Sequence, residues 1–401
     1  MLNFYIIAIA LVITLFLAFS RKLAHSESWK ATVTPLASIM GSGFLVVAPL
    51  LAESVGYFAV LCMGVLLILA YAVGSAIRFN IRHFEPIEHQ KGSAQAVSFV
   101  SRIVLAGAYF ISVTYYLQLL SAFLLKAFGY DSDFVANIIT TLILILICGV
   151  GMWRGLGELE KIETYAVSLN LGMIAGLLFS LAVYNVQLLQ SGQWHLPSLD
   201  SSIDLHDLRV LLGLLIVVQG FETSRYLQSQ HPAELRIKTM RIAQWISAAI
   251  YLVFLTLMTV LFHKGMGADV TAITSMVAPV AVLLPILISV AAIGSQFSAS
   301  VADTSGAGGL VVDIAREKIP VRYAYMLILI VTIFLTWATD VNGIIAYASR
   351  AFALFYTLQS AVAAIVAMQS KSVENHTQKA TFYSVISLLC LMVFLFGVPS
   401  A

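Results

Sequence analysis

Apolar residues fill this chain in long unbroken runs rather than in helical or alternating stripes. Short polar stretches separate the runs. A helix crossing a bilayer core needs about 20 predominantly apolar residues. By that measure the runs predict spanning helices near 3–20, 32–54, 57–78, 97–125, 133–153, 163–188, 206–226, 239–263, 278–308, 323–339, 342–368 and 380–398. The longest connections, 80–96, 188–205 and 227–238, are too short to hold a soluble domain. The expected fold is therefore an all-α, polytopic membrane protein of about 12 helices, a single transmembrane domain over 1–401.

Composition strengthens that picture. Hydrophobic residues make up 60% of the 401 residues and charged residues 10%, where soluble domains carry about 25% charged residues. Lipid has to replace water as the solvent for most of the surface. A formal net charge of +2 gives no reason to expect a nucleic-acid partner. Cys62, Cys148 and Cys390 each sit inside an apolar run and read as small packed hydrophobes. Residues 1–20 lack a basic leader and a small-residue cleavage site, so they read as a retained helix. No histidine pair has zinc-type helical spacing, and there is no phosphate-binding loop or nucleophile elbow. No catalytic function is expected.

Basic residues set the orientation. With the first helix running inward, 18 of the 22 Lys and Arg fall on one set of connections. Lys126, Arg209 and Lys264 lie on the other face, and Arg350 lies inside a span. The stretch 188–208 carries no basic residue before Arg209, as expected of a translocated loop. These features predict a cytoplasmic (inner) membrane protein with both termini outside.

Function is read from where the spans are interrupted. Backbone inside a membrane must satisfy its own hydrogen bonds, so unwound segments persist only beside protein or a watery cavity. Gly41, Ser42 and Gly43, followed by Pro49, lie in the second span. Two mid-helix glycines cost about 2 kcal/mol relative to alanine. A break explains them, and so does a close helix–helix contact. In the seventh span, Gln219, Gly220, Phe221 and Glu222 adjoin the apolar run LLGLLIVV. Glu222 reads either as a functional acid within the span or as a solvated helix end. The two interruptions lie five spans apart. Paired broken helices in corresponding halves mark transporter sites, and five spans per repeat requires opposite topology.

The ninth span is too polar to face lipid, with Ser295, Gln296, Asp303, Thr304 and Ser305 among small residues. It either packs through small residues or lines a solute path. Hydroxyl oxygens at Thr304 and Ser305, with freed carbonyls nearby, suit a hard cation such as Na+. Arg350 needs a partner or water; Glu53 as an outer gate, an anionic group of substrate, and a purely structural pair are the candidates. Tyr109, Tyr115, Tyr116 and Gln118 of the fourth span either flank the expected site or simply pack.

Three segments resemble the amino acid–polyamine–organocation (APC) superfamily, which has the LeuT-type 5+5 inverted repeat. GSGFLVVAPLLAESVGYFAVL (41–61) is similar to its first core helix, GFETSRYLQSQHPAELRIKTMRIA (220–243) to its sixth, and VADTSGAGGLVVDIAREKIPVRYAY (301–325) to the end of its eighth. Lys318 stands where that last motif usually has glycine. The resemblance implies one repeat over 32–190, a second, inverted, over 206–368, and extra helices at 3–20 and 380–398. It implies that Met40, Gly41, Ser42, Gly43 and Phe44 unwind to bind a substrate carboxylate, faced by Tyr116, Gln219, Gly220, Phe221 and Glu222. It implies a Na+ site from the Ala37 and Met40 carbonyls with Thr304 and Ser305. Glu53, Glu222, Asp303 and Arg350 are the gate or coupling candidates. The expected function is symport of an amino acid or similar small zwitterion, driven by Na+ or H+. A carrier of another solute (nucleobase, organic cation or inorganic ion) and a transport-dead sensor or scaffold are the alternatives.

Overall fold

The structure, a computed structural model, describes residues 2–399 apart from 42, 155–156, 198–202, 229–230, 264–268 and 371–373; for 24 and 157–164 it describes the backbone alone. Among the described residues every regular element is helical. In chain order the principal helices are α1 (Leu2–Phe19), α2 (Glu27–Gly41), α3 (Val47–Val55), α4 (Ala59–His83), α5 (Ser93–Ala127), α6 (Asp133–Arg154) and α7 (Gly157–Gln190). There follow α8 (Leu205–Gly213), α9 (Ala233–Met258), α10 (Leu284–Ile314), α11 (Val321–Ala338), α12 (Val341–Gln369) and α13 (His376–Phe396).

Ten uninterrupted stretches among the described residues are long and apolar enough to cross a membrane. The two expected spans missing from that set are the glycine-bearing ones. The second is cut into α2 and α3, and α3 runs on through a single 3-10 turn at Gly56–Phe58 into α4. The seventh is cut into α8 and two 3-10 segments, Leu215–Val218 and Phe221–Tyr226. Span boundaries otherwise shift by a few residues in either direction: α9 begins at Ala233 rather than 239, and α10 runs over Leu284–Ile314 rather than 278–308.

The outer surface is what lipid requires. Phe4, Phe16, Ile68, Phe134, Leu142 and Phe334 are all more than half exposed, while small residues occupy the helix contacts. The first helix docks on α7 through Gly172 and Gly176: a Cβ at Gly172 would stand 2.6 Å from the Ala10 carbonyl oxygen, and one at Gly176 3.2 Å from that of Ile6. This is the small-xxx-small packing of membrane helices. Helix α5 packs along both α10 and α12, so these three enclose the broken segments from one side and α9 from the other. At the start of α8 the Asp207 amide donates to the Asp204 carboxylate (2.9 Å), and the Asp204 amide donates back to Asp207 (2.9 Å). This reciprocal cap fixes where the seventh span begins. The Asp207 amide also holds the Asp204 carboxyl below its ordinary pKa.

Candidate functional site

The two interruptions meet in the interior. Helix α2 stops at Gly41, and residues 43–46 turn before α3 resumes at Val47. In the seventh span Gln219 is extended and Gly220 has φ +116°, a backbone region that L side chains rarely adopt. A Cβ on Gly43 would stand 2.6 Å from Val217 Cγ1. One on Gly220 would stand 2.6 Å from the Ser38 carbonyl carbon and 2.7 Å from the Ile39 nitrogen. Each break therefore presses its glycine against the backbone or side chains beside the other break. Both readings of Gly43 offered by the sequence hold together: it lies in a break and in a close contact.

Unwinding frees carbonyls and amides, and the surrounding helices supply partners. Tyr251 on α9 points its hydroxyl at the Val217 carbonyl (2.5 Å) and the Ile39 carbonyl (3.2 Å). Gln296 on α10 donates to the Gly41 carbonyl (2.8 Å). The Ile216 amide donates to Ser349 Oγ on α12 (2.9 Å). The Glu222 carboxylate takes both the Gly220 amide (2.9 Å) and the Tyr356 hydroxyl (2.8 Å) on its Oε2, while its Oε1 has no hydrogen-bond partner. Gln219 Nε2 donates to the Tyr116 hydroxyl (2.7 Å). Phe44 packs on Phe254 and Tyr251, with ring centroids at 4.4 and 5.5 Å, and Phe221 stacks on Tyr356 at 5.3 Å.

Of the residues expected at a substrate site, Met40, Gly41, Gly43, Phe44, Tyr116, Gln219, Gly220, Phe221 and Glu222 are all buried and gather around these breaks. Ser42 lies outside the described residues. Glu222 is fully buried, which excludes the solvated-helix-end reading.

A cavity of about 1640 Å³ lies on the side of the breaks that faces the basic connections. Its wall includes Thr34 of α2, Tyr109 and Arg102 of α5, Thr223 and Tyr226 of the second break, and Asp303, Ser305 and Gly306 of α10. It reaches Glu85, Glu88 and His89 in the 80–96 connection and Arg316 and Glu317 beyond α10, so its mouth is on that basic face. None of those nine buried residues lines it. Ser112 donates to the Asp303 carboxylate. Of the expected ion ligands, Ser305 lines the cavity, Ala37 is half-buried, and Met40 and Thr304 are buried. The Thr304 hydroxyl is turned to the Ser300 carbonyl (2.6 Å). The antiparallel packing of α2 and α10 is set at Gly41, whose Cβ would lie 3.3 Å from the Ala299 Cβ.

One expectation is corrected. Arg350 and Glu53 form no ion pair. Arg350 donates to the Phe394 carbonyl (2.8 Å) and lies over the Phe394 ring (5.7 Å), while Glu53 is exposed. The last helix, α13, packs along α12 and supplies the partner that sequence had sought on the second span.

Sequence reasoning missed a polar knot that ties the second break to its neighbours. Gln359 on α12 accepts from Asn80 (3.0 Å) and from Arg225, and its amide donates to Ser101 Oγ (2.7 Å). Arg236 at the start of α9 makes a bidentate pair with Glu85 (2.7 and 3.0 Å) and donates to the Arg225 carbonyl (2.9 Å). A glutamine inside the apolar run of the eleventh span was the signal for the first.

A family model described as APC superfamily transporter matches residues 21–397. An uncharacterized protein of Aquifex aeolicus (strain VF5) is 39% identical over 401 residues, spanning 98% of this chain and 96% of that one. A crystal structure of a mutant manganese transporter from Eremococcus coleocola superposes with a TM-score of 0.53 at 12% identity, covering 94% of this chain and 90% of that chain. At that identity the likeness is one of fold.

Proposed function

The chain belongs to the APC superfamily of transporters, and from that premise we propose that it is a secondary active symporter of an amino acid or similar small zwitterion. The observation that carries the reading is the mutual packing of Gly43 on Val217 and of Gly220 on Ser38 and Ile39, with a cavity on one face of that contact. Two broken helices that touch at mid-membrane, below a vestibule, are what alternating access needs around a fixed site. In this reading 32–190 and 206–368 are inverted repeats flanked by helices at 3–20 and 380–398. The basic face is cytoplasmic, both termini are outside, and the structure is an inward-facing state. Substrate enters between the breaks when Gly43 and Gly220 separate. Backbone amides near Gly43 then take its carboxylate, and Gln219, Phe221 and Tyr116 face its other side.

Coupling has two candidate routes. Glu222 and Asp303 place two carboxyl groups in the buried core, a proton route. The Ala37 and Met40 carbonyls with Thr304 and Ser305 form a hard-oxygen Na+ route. The second reading is an inorganic cation as cargo, as in the name of the Eremococcus coleocola protein, and the two buried carboxyl groups favour it. Uptake of labelled amino acids into proteoliposomes with imposed H+ or Na+ gradients tests the proposal. Gradient-dependent accumulation of at least one is expected. Accumulation of a divalent metal but of no amino acid would move the function to the second reading.

A further inference from the structure

Helices α4 and α9 leave an apolar groove of about 280 Å³ on the lipid-facing surface. Its lining runs from Gly64 to Tyr71 on α4 and from Gln244 to Leu252 on α9, about 12 Å along the helices at 1.5 Å per residue. Ile39 and Val218, each beside a helix break, contribute to the same lining. Trp245 is 60% exposed, and its ring sits 5.4 Å from that of Tyr71 at the basic-face end of the groove.

That end is strongly positive. Lys238, Arg241, Trp245, Ala248 and Leu252 follow one another at spacings of three and four, so they share one face of α9. Lys238 and Arg241 are exposed at the basic-face end of that stripe. Arg78 is buried on α4, held by Gln244 Oε1 (2.5 Å) and by the Tyr71 ring (4.8 Å), and makes no ion pair. Arg241 lies three residues before Gln244, the α9 side chain that holds Arg78. The nearby acid, Glu234, is already engaged by Arg82 (2.6 Å). An apolar slot two helical turns long, opening to lipid and ending in two exposed cations with a third buried beneath them, complements the charge and shape of an anionic phospholipid.

The geometry points to a bound anionic phospholipid, one acyl chain lying in the groove between α4 and α9 and the headgroup phosphate held by Lys238 and Arg241 above Arg78. The groove backs onto the breaks through Ile39 and Val218 but takes in none of the residues proposed to bind substrate, and its test needs no knowledge of the substrate. Purified full-length protein in detergent is titrated with phosphatidylglycerol, with phosphatidylcholine of the same chains, and with glycerol phosphate, following Tm and retained lipid by native mass spectrometry. Phosphatidylglycerol is expected to raise Tm saturably, with the other two inert. The double variant Lys238→Gln with Arg241→Gln is expected to bind about 30-fold more weakly, the effect of two interfacial charges. Gly64→Leu fills the groove, since a Cβ there meets nothing within 4 Å; it should keep the lipid-free Tm and lose the lipid response. Equal stabilisation by phosphatidylcholine, or an unchanged titration in the double variant, overturns the site. If Gly64→Leu fails to fold, Ala248→Phe on the opposite wall is read the same way.

Discussion

Gly43 and Val217 are in contact across the middle of the protein, so close that a Cβ on Gly43 would lie 2.6 Å from Val217 Cγ1 and 2.9 Å from its Cα. Overfilling a packed interior costs about 1–3 kcal/mol. Gly43→Ala should therefore lower Tm and transport together, and Val217→Ala on that background should restore part of both. Gly41→Ala, whose Cβ meets the Ala299 Cβ at 3.3 Å, should be milder. Thermal unfolding in detergent ranks the three, and a Gly43→Ala protein as stable as wild type would show that the breaks do not touch.

Gly220 carries a second, independent requirement. Its φ of +116° is strained for any side chain, and a Cβ would meet the Ser38 and Ile39 backbone. Gly220→Ala should be destabilised by more than the roughly 1–2 kcal/mol of a left-handed residue alone. Expression yield and Tm check this against Gly43→Ala.

Glu222 joins the second break to α12 through the Tyr356 hydroxyl. Removing that donor with Tyr356→Phe deletes a hydrogen bond to a carboxyl group, a loss of about 1.5–3 kcal/mol if it is charged. Glu222→Gln keeps the shape and the acceptor oxygen. If Glu222 carries the coupling proton, this variant retains substrate counterflow and loses accumulation driven by a proton gradient. Proton-driven uptake at the wild-type level in Glu222→Gln would remove Glu222 from the coupling route.

Thr304 and Ser305 separate the two coupling ions. Thr304 bonds its own helix at Ser300, so Thr304→Ala should leave the fold nearly unchanged. If the hydroxyls hold Na+, Thr304→Ala and Ser305→Ala raise the Na+ concentration needed for half-maximal uptake. A Na+ response identical to wild type in both variants sets the sodium route aside.

Two ion pairs on the basic face provide an internal contrast. Arg236 and Glu85 have side chains 3% and 13% exposed, and Arg82 and Glu234 have side chains 52% and 73% exposed. Breaking a buried pair leaves an uncompensated charge and costs about 3–5 kcal/mol, whereas exposed pairs contribute at most about 1 kcal/mol. Glu85→Gln should lower Tm far more than Glu234→Gln.

Much of the fold is legible in one dimension because lipid imposes a one-dimensional rule. A segment that crosses hydrocarbon must be long, apolar and internally hydrogen-bonded, so the spans, the polytopic all-α class and the two glycine-bearing interruptions can be read along the chain. Gly41, Gly43 and Gly220 were legible for the same reason: unwound backbone inside a membrane needs a cause. The partners of that backbone were not. Tyr251, Gln296, Ser349 and Tyr356 lie on three other helices, and nothing local distinguishes a tyrosine that caps two freed carbonyls from one that only packs. Arg350 shows the same limit, since its need for a partner was plain but the choice of Phe394 over Glu53 depended on how α13 lies along α12. Local hydrogen-bonding rules determine where a membrane helix can break, whereas three-dimensional packing decides which side chains satisfy the break and on which face of it a cavity remains.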